Sequence, residues 1–239
     1  QARTTYYYIA ANADYTLDVK DHHFFLMAGY SQEEKNTSAT TSNTYLYINS
    51  LLSSYAKVNY SFRDKYLLEF TGRMDASSKF AKGHKYGFFP SVAAGWNISK
   101  EKFMQPLKAV SNMKLRASYG QLGNESDVAL YQYQTTINSS SGLETNYGNP
   151  DLSWETVNMT DIGLDLGLFN NKLEIVFDYY NKLTKDIILN PPLSLTGGFE
   201  DKVPVNAGKL RNEGWEASVN YNGTIGKNVS ISVRPGVTY

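Results

Sequence analysis

Between residues 66 and 75 the chain alternates with a period of two. Tyr66, Leu68, Phe70, Gly72 and Met74 carry no charge, and Glu69, Thr71, Arg73 and Asp75 fall among the positions between them. Successive side chains of a strand point to opposite faces, so this segment has one oily face and one ionic face. The same rhythm recurs along most of the chain and predicts about ten long strands. The first covers residues 4–19, with Tyr7, Ile9, Ala11, Tyr15 and Leu17 on one side, and the second residues 23–32, with Phe24, Leu26, Ala28 and Tyr30. Leu52, Ala56, Val58, Tyr60 and Phe62 mark the third, residues 66–75 the fourth, and Phe88, Val92, Ala94, Trp96 and Ile98 the fifth. Met113, Leu115, Ala117 and Tyr119 mark the sixth, Ile162, Leu164, Leu166 and Leu168 the seventh, and Leu173, Ile175, Phe177 and Tyr179 the eighth. Trp215, Ala217, Val219 and Tyr221 mark the ninth, and Val229, Ile231, Val233 and Val237 the tenth.

The links between these strands alternate in length. Tight turns are expected near residues 21, 64, 170 and 227, and polar loops over 33–44, 77–86, 121–153 and 190–206. The link 100–112 falls on the short side by parity and has the residues for one short helical turn; residues 130–137 have the pattern of a small hairpin arm. Outer-membrane barrels sort their connections this way, short turns at one end and long loops at the other. A soluble sandwich has no reason to do so.

An apolar row free of charge fits a soluble core as well as a lipid-facing surface. No Asp, Glu, Lys or Arg stands among the apolar-row residues named above, and a Lys or Arg on a lipid face at mid-bilayer would cost about 2–4 kcal/mol. The opposite row holds Arg73 and Asp75, Lys114 and Arg116, Asp161 and Asp165, Lys172, Glu174 and Asp178, and Glu216. Strands of about ten residues or more, evenly amphipathic, suit a barrel crossing a bilayer at a tilt; sandwich strands more often run to about 5 or 6. The pattern therefore favours a membrane barrel, with a soluble glycan-binding β-sandwich as the alternative.

Composition agrees with an all-β chain. Nineteen Tyr, 11 Phe and 3 Trp stand against 7 Pro, as expected of aromatic-rich strands. Twenty-three basic and 23 acidic residues cancel, so no global field attracts nucleic acid. The absence of cysteine excludes disulfides, thiol catalysis and thiolate metal sites. A mean hydropathy of −0.42 does not argue against the membrane, because a barrel hides only alternate residues in lipid. The chain begins at Gln1, within a few residues of a strand and without a signal-peptide pattern, and is expected to be an internal piece of something longer.

Residues 64–96 carry a resemblance. Asp64-Lys65-Tyr66-Leu67-Leu68, then Arg73-Met74-Asp75-Ala76-Ser77-Ser78-Lys79-Phe80, then Tyr86-Gly87-Phe88-Phe89-Pro90-Ser91-Val92-Ala93-Ala94-Gly95-Trp96 resemble the signature run of SusC/RagA-type TonB-dependent transporters of Bacteroidetes-type outer membranes. Leu115 to Asn124, Asn149-Pro150-Asp151-Leu152-Ser153-Trp154-Glu155, Asp178 to Lys182 and Asn212-Glu213-Gly214-Trp215-Glu216 continue the match in order. It covers residues from about 50 to the end. The resemblance implies an antiparallel transmembrane β-barrel of about 22 strands, of which these ten would be a later part of the wall. It also implies TonB-driven import of oligosaccharides or peptides, an N-terminal plug, and a SusD-like surface lipoprotein as partner. Residues 1–239 would then be a partial barrel domain, with the plug and the TonB-contacting segment outside it. The remaining alternative is a complete small passive pore or adhesin.

On this reading Arg73, Asp75, Arg116, Asp161 and Asp165 line a lumen, as wall-stabilising pairs or as contacts for substrate. Tyr66, Trp96, Tyr119, Tyr179, Trp215 and Tyr221 are expected in interfacial girdles. Trp154, beside a long loop, is the candidate for stacking on a sugar ring. His22, His23 and His84 are too dispersed for a metal site. No Ser-His-Asp arrangement, phosphate loop or cofactor motif is present, so the expected role is transport rather than catalysis, with no cofactor.

Overall fold

The computed structural model describes residues 2–40, 44–137, 144–191, 203–225 and 229–239. Its strands in chain order are β1 (Ala2–Val19), β2 (His22–Thr40), β3 (Thr44–Phe62), β4 (Tyr66–Ser77), β5 (Tyr86–Asn97) and β6 (Val110–Asn124). The short strands β7 (Thr136–Ile137) and β8 (Glu144–Asn146) follow, then β9 (Glu155–Leu168), β10 (Leu173–Leu189), β11 (Val205–Ile225), β12 (Val229–Val233) and β13 (Gly236–Thr238). All but β7 and β8 form one antiparallel sheet in which each strand lies beside its sequence neighbour, with β6 beside β9.

β12 and β13 are one strand in register. Tyr221 faces Val233 and Glu216 faces Thr238 with no residue inserted between, and Trp215 and Tyr239 exchange backbone hydrogen bonds at 2.9 Å. Pro235 divides them because it has no N–H to give to the ladder. With that division removed the sheet has the ten strands the alternation predicts.

The register carries the two-residue rhythm across the sheet. Tyr15, Leu26, Val58, Phe70, Val92 and Tyr119 lie side by side on six successive strands. Nothing among the described residues covers this face: Tyr66, Leu68, Phe70 and Met74 are 44, 37, 51 and 47% exposed. A sandwich would have buried that row under a second sheet. The expected alternative of a soluble β-sandwich is therefore not what these residues form.

The polar loop expected over 33–44 is instead mostly strand. β2 and β3 pair from His22 with Phe62 out to Thr40 with Thr44, making a hairpin of two 19-residue strands. At about 3.3 Å per residue these exceed the 12-residue β4 and β5 by roughly 20 Å. Alternation fades there because residues 33–38 are polar on both faces; pairing with β1 as well as β3 holds the stretch, with Tyr6 Oη donating to Glu33 at 2.9 Å and Asn36 Nδ2 to Glu34 at 2.7 Å. The expected arm over 130–137 is also displaced: residues 131–134 are turns, and Thr136 and Ile137 pair with Asn146 and Glu144. The turn at 226–228 and the loop glycines Gly197 and Gly198 lie outside the described residues.

The short-turn end is laced together. Arg63 and Asp64 both adopt positive φ (52° and 49°), and the Lys65 N–H donates to the Phe62 carbonyl at 2.9 Å, giving a type I′ hairpin. Arg63 binds the previous turn through Asp21, N to O at 2.8 Å and Nε to Oδ2 at 2.7 Å. The next link forms two 3₁₀ turns, Ile98–Lys100 and Lys102–Met104. It is tied back by Lys100 Nζ to Asp64 Oδ2 at 3.2 Å and by Asn97 to the Asp64 carbonyl. Ala109 accepts from the Phe169 N–H at 2.8 Å, and Lys172 from the Asn222 N–H at 2.7 Å.

The long-loop end is held differently. β5 pairs with β4 up to Tyr86, but with β6 only from Ser91. Above Pro90 the two strands part, and a buried cluster of Phe80, Phe89, Val128, Leu152, Trp154 and Ile188 gathers the loops there. The Phe89 ring lies against Gly87 and Gly123, where an added Cβ would come within 2.4 and 2.0 Å of it.

Candidate functional site

Of the predicted site residues, the sheet register brings three into one group. Arg116 on β6 forks onto Asp165 of β9, Nε to Oδ2 at 2.9 Å and Nη2 to Oδ1 at 2.9 Å. The same Nη2 donates to Asp178 Oδ1 at 2.8 Å, and Nη1 stands 4.0 Å from Asp161 Oδ1. One guanidinium thus serves three carboxylates, leaving a local surplus of negative charge. Asp161 has the weakest tie.

Asp178 is the residue that sequence reasoning leaves out of the group, because β10 is not adjacent to β6. The strand between them, β9, places Gly163 opposite both Arg116 and Asp178. A Cβ there would sit 2.2 Å from Asp178 Oδ1 and 2.6 Å from Arg116 Nη2, so the ion pair crosses β9 through the space a side chain would fill. The readable signal was a glycine at the centre of a strand otherwise rich in large residues.

Arg73 and Asp75 form a second pair, lengthwise on β4. Arg73 Nε lies 2.8 Å from both Asp75 oxygens and its Nη2 2.9 Å from Ser53 Oγ on β3. Asp75 is only 7% exposed. Lys57 and Glu69 pair on the same face at 2.9 Å. Two hollows open on this face: one of about 420 Å³ bordered by Arg116, Asp161, Asp178, Tyr180, Lys182 and Glu216, and one of about 580 Å³ that reaches from Phe25 to Arg116.

Trp154 departs from its expected role. It is 7% exposed, its ring packs against Phe80 and Phe89 with centroids 5.2 and 5.6 Å away, and its Nε1 donates to the Lys85 carbonyl at 3.1 Å. The faces a sugar would need are occupied by the loop cluster. Next to it, buried Glu155 accepts from Asn124 Nδ2 and from the Ile188 N–H, both at 2.7 Å.

His22 contacts the Tyr60 hydroxyl at 2.9 Å, His23 binds Asp18 at 2.6 Å, and His84 stands 3.9 Å from Asp151. Among the described residues no three metal-ligating side chains converge. At the laced end, Glu101 accepts from the Tyr66 hydroxyl at 2.7 Å, Lys65 Nζ at 3.0 Å and Trp96 Nε1 at 3.2 Å. The Tyr66 hydrogen bond, then those of Lys65 and Trp96, hold its carboxyl down at about 2. This carboxylate anchors two of the expected girdle aromatics.

Residues 1–239 match the family model described as TonB dependent receptor-like, beta-barrel. TonB-dependent receptor P3 of Formosa agariphila is 39% identical over 190 residues, 74% of this chain and 19% of that protein. TonB-dependent receptor SusC of Bacteroides thetaiotaomicron is 29% identical over 225 residues, 88% of this chain and 22% of that one. The chain therefore spans about a fifth of the length of these curated relatives. The structure of the RagAB peptide importer in its open-open state aligns with 99% of the chain and 30% of its own, at TM-score 0.85 and 25% identity. The siderophore receptor PirA from Pseudomonas aeruginosa shares the fold alone, at TM-score 0.67 and 17% identity. The uncovered apolar face is accordingly the lipid-facing side of an outer-membrane wall and the ionic face its interior, and the chain belongs to the TonB-dependent receptor β-barrel family.

Proposed function

We propose that these residues form part of the wall of an active importer of bulky nutrients, oligosaccharides or peptides. The observation that carries this reading is the one-sided ion network: Arg73, Asp75, Arg116, Asp161, Asp165 and Asp178 stand on the face opposite an apolar surface that nothing among the described residues covers. A hydrated, self-paired interior suits passage of polar cargo, and its acid surplus suits hydroxyl-rich or amide-rich chains that donate hydrogen bonds. The names of two relatives, SusC and the RagAB peptide importer, support the same two cargo classes.

The gate and the energy input belong to parts outside these residues: a plug within the barrel and a TonB-contacting stretch of the whole protein, and a SusD-like lipoprotein as a separate partner over the outer mouth. In this division the wall supplies a fixed conduit and no bond-making chemistry. Trp154 works by holding the long loops together.

The test is growth of the source bacterium on single oligosaccharides or peptides as sole carbon source, with the gene intact, deleted, or paired with a TonB deletion. Loss of growth on a defined subset in both deletions is the expected result. Uptake that persists without TonB would indicate a passive pore and overturn the proposal.

A further inference from the structure

The interior face carries a second patch at the long-loop end, which the ion network of the wall does not use. Ser31, Ser53 and Asp75 lie side by side on β2, β3 and β4. Two residues higher on the same face, Glu33 stands beside Tyr8 of β1. Two higher again, Lys35 stands between Tyr6 and Asn49, and above them Thr37 stands between Thr4 and Tyr47. No register shift interrupts these three strands, so their side chains share the face of Asp75. Two contacts across β1 and β2 agree: Tyr6 Oη donates to Glu33 at 2.9 Å, and the hydroxyls of Thr4 and Thr37 meet at 3.3 Å. The patch measures about 10 Å across three strands and about 13 Å along them.

Its rings are open, unlike the occupied ring of Trp154. Tyr6, Tyr8 and Tyr47 are 58, 60 and 42% exposed. Above Leu51, β3 pairs with no described strand on its β4 side, and Tyr131 takes up that edge. Its hydroxyl accepts from the Ile48 N–H at 3.4 Å and its ring centroid stands 6.3 Å from that of Tyr47. Tyr131 holds a φ of 61° there, a conformation that costs a bulky residue roughly 1–3 kcal/mol. Lys35 is exposed between the rings, and neither its ammonium nor the Tyr8 hydroxyl has a partner among the described residues.

Sugars and peptides ask for different surfaces. An extended peptide commonly binds by adding a strand to a free edge. β2 is paired on both sides from His22 to Ala39, so the middle of this patch offers side chains only. What it offers is flat rings set among hydroxyl, amide and ammonium groups. A tyrosine ring is a wide apolar face with a hydroxyl that both donates and accepts. A sugar ring has the matching pair of surfaces, apolar C–H faces and a rim of hydroxyls.

We propose that Tyr6, Tyr8 and Tyr47 form a sugar-stacking platform at the long-loop mouth, with Lys35 and Asn49 donating hydrogen bonds to the hydroxyls of the cargo. The occupant is an oligosaccharide, and the patch is continuous with the interior face along which it passes. This rests on the import reading for the route of the cargo and selects oligosaccharide over peptide.

The experiment uses the full-length transporter in detergent. Native mass spectrometry measures binding of hexasaccharides of glucose, mannose and guluronic acid, and of a tryptic digest of casein. Binding of at least one hexasaccharide, and of no peptide, is the expected result. Tyr8→Ala should weaken it about tenfold, and Tyr8→Phe, which keeps the ring, less than about threefold. Tyr7→Ala, on the opposite face, should bind as the parent does. Heat-modifiable gel mobility shows whether each variant is folded; if Tyr8→Ala fails that check, Tyr47→Ala takes its place. Binding of casein peptides in place of the sugars, binding of neither, an alanine variant that binds as the parent does, or an equal loss in Tyr7→Ala would each overturn the inference. Uptake without TonB in the growth test would instead overturn the import reading and leave the sugar platform standing.

Discussion

Replacing Gly163 by alanine tests the wall's central ion pair at a residue that carries no charge. The new Cβ would stand 2.2 Å from Asp178 Oδ1 and 2.6 Å from Arg116 Nη2, so one or both side chains must withdraw. The Arg116 fork onto Asp165 points along the other edge of the guanidinium and can survive a small rotation; the 2.8 Å bond to Asp178 cannot. A charge-assisted hydrogen bond contributes about 1.5–3 kcal/mol. Arg116 and Asp178 are 33% and 25% exposed, so water screens part of that, and a loss of about 1–2 kcal/mol is expected. The assay is guanidinium unfolding of the full-length protein in lipid vesicles, followed by tryptophan fluorescence. Alanine in place of glycine within a strand would otherwise be neutral or stabilising, so the sign alone is informative. The control is the double variant Gly163→Ala with Asp178→Ala, in which the closest clash is gone. If Gly163→Ala costs as much without Asp178 as with it, the ion pair is not the reason for the glycine, and the reasoning fails.

Three further outcomes are expected. Phe70→Arg, on the lipid-facing row, should cost about 2–4 kcal/mol and reduce the amount assembled in the membrane, whereas Thr71→Arg on the interior row should assemble normally; equal assembly of the two would contradict the face assignment. Trp154→Ala should cost about 3–5 kcal/mol locally and speed amide exchange in residues 78–91 and 149–155. Faster cargo loss with unchanged exchange would return that ring to a binding role. The Glu101 carboxyl is held at about 2, below its ordinary value of 4.5, so its stabilising effect is complete above pH 4.5 and fades as pH falls from 4.5 towards 2. Glu101→Gln should remove that acid-side slope from a stability-versus-pH series, and an unchanged slope would show that another group produces it.

The parts of this fold that sequence reveals are those where lipid enforces a rule. In β4, β5, β9 and β10 one face must be apolar at every second residue, and the pattern Tyr66, Leu68, Phe70 was enough to separate the two faces, which the strand pairing then aligns across the sheet. Where the rule lapses, so does the signal. Residues 33–40 and 44–51 pair as regularly as any others, yet residues 33–38 are polar at every position and give no two-residue pattern. The candidate site divides in the same manner. Arg73 and Asp75 are two apart on one strand, so their pairing follows from pleat alone, whereas the link from Arg116 to Asp178 needs the order of three strands and an absent side chain at Gly163. Trp154 was misjudged because a loop boundary says nothing about what packs over a ring; Phe80, 74 residues earlier, covers it.

The two ends of the wall resist deformation by different means. Where Asp21, Arg63, Asp64, Lys100, Ala109, Phe169, Lys172 and Asn222 join turn to turn, the bonds are directional and each hairpin is fastened to the next. That rim behaves as a hoop: a pull on one hairpin is shared by its neighbours, and the opening keeps its outline. At the other end, above Pro90, the loops gather on the buried rings of Phe89 and Trp154 with Leu152, tied by Trp154 Nε1 to the Lys85 carbonyl at 3.1 Å and by the two 2.7 Å bonds of Glu155. The wall is thus fastened at one rim by bonds between neighbouring turns and at the other by apolar packing around a few directional ties.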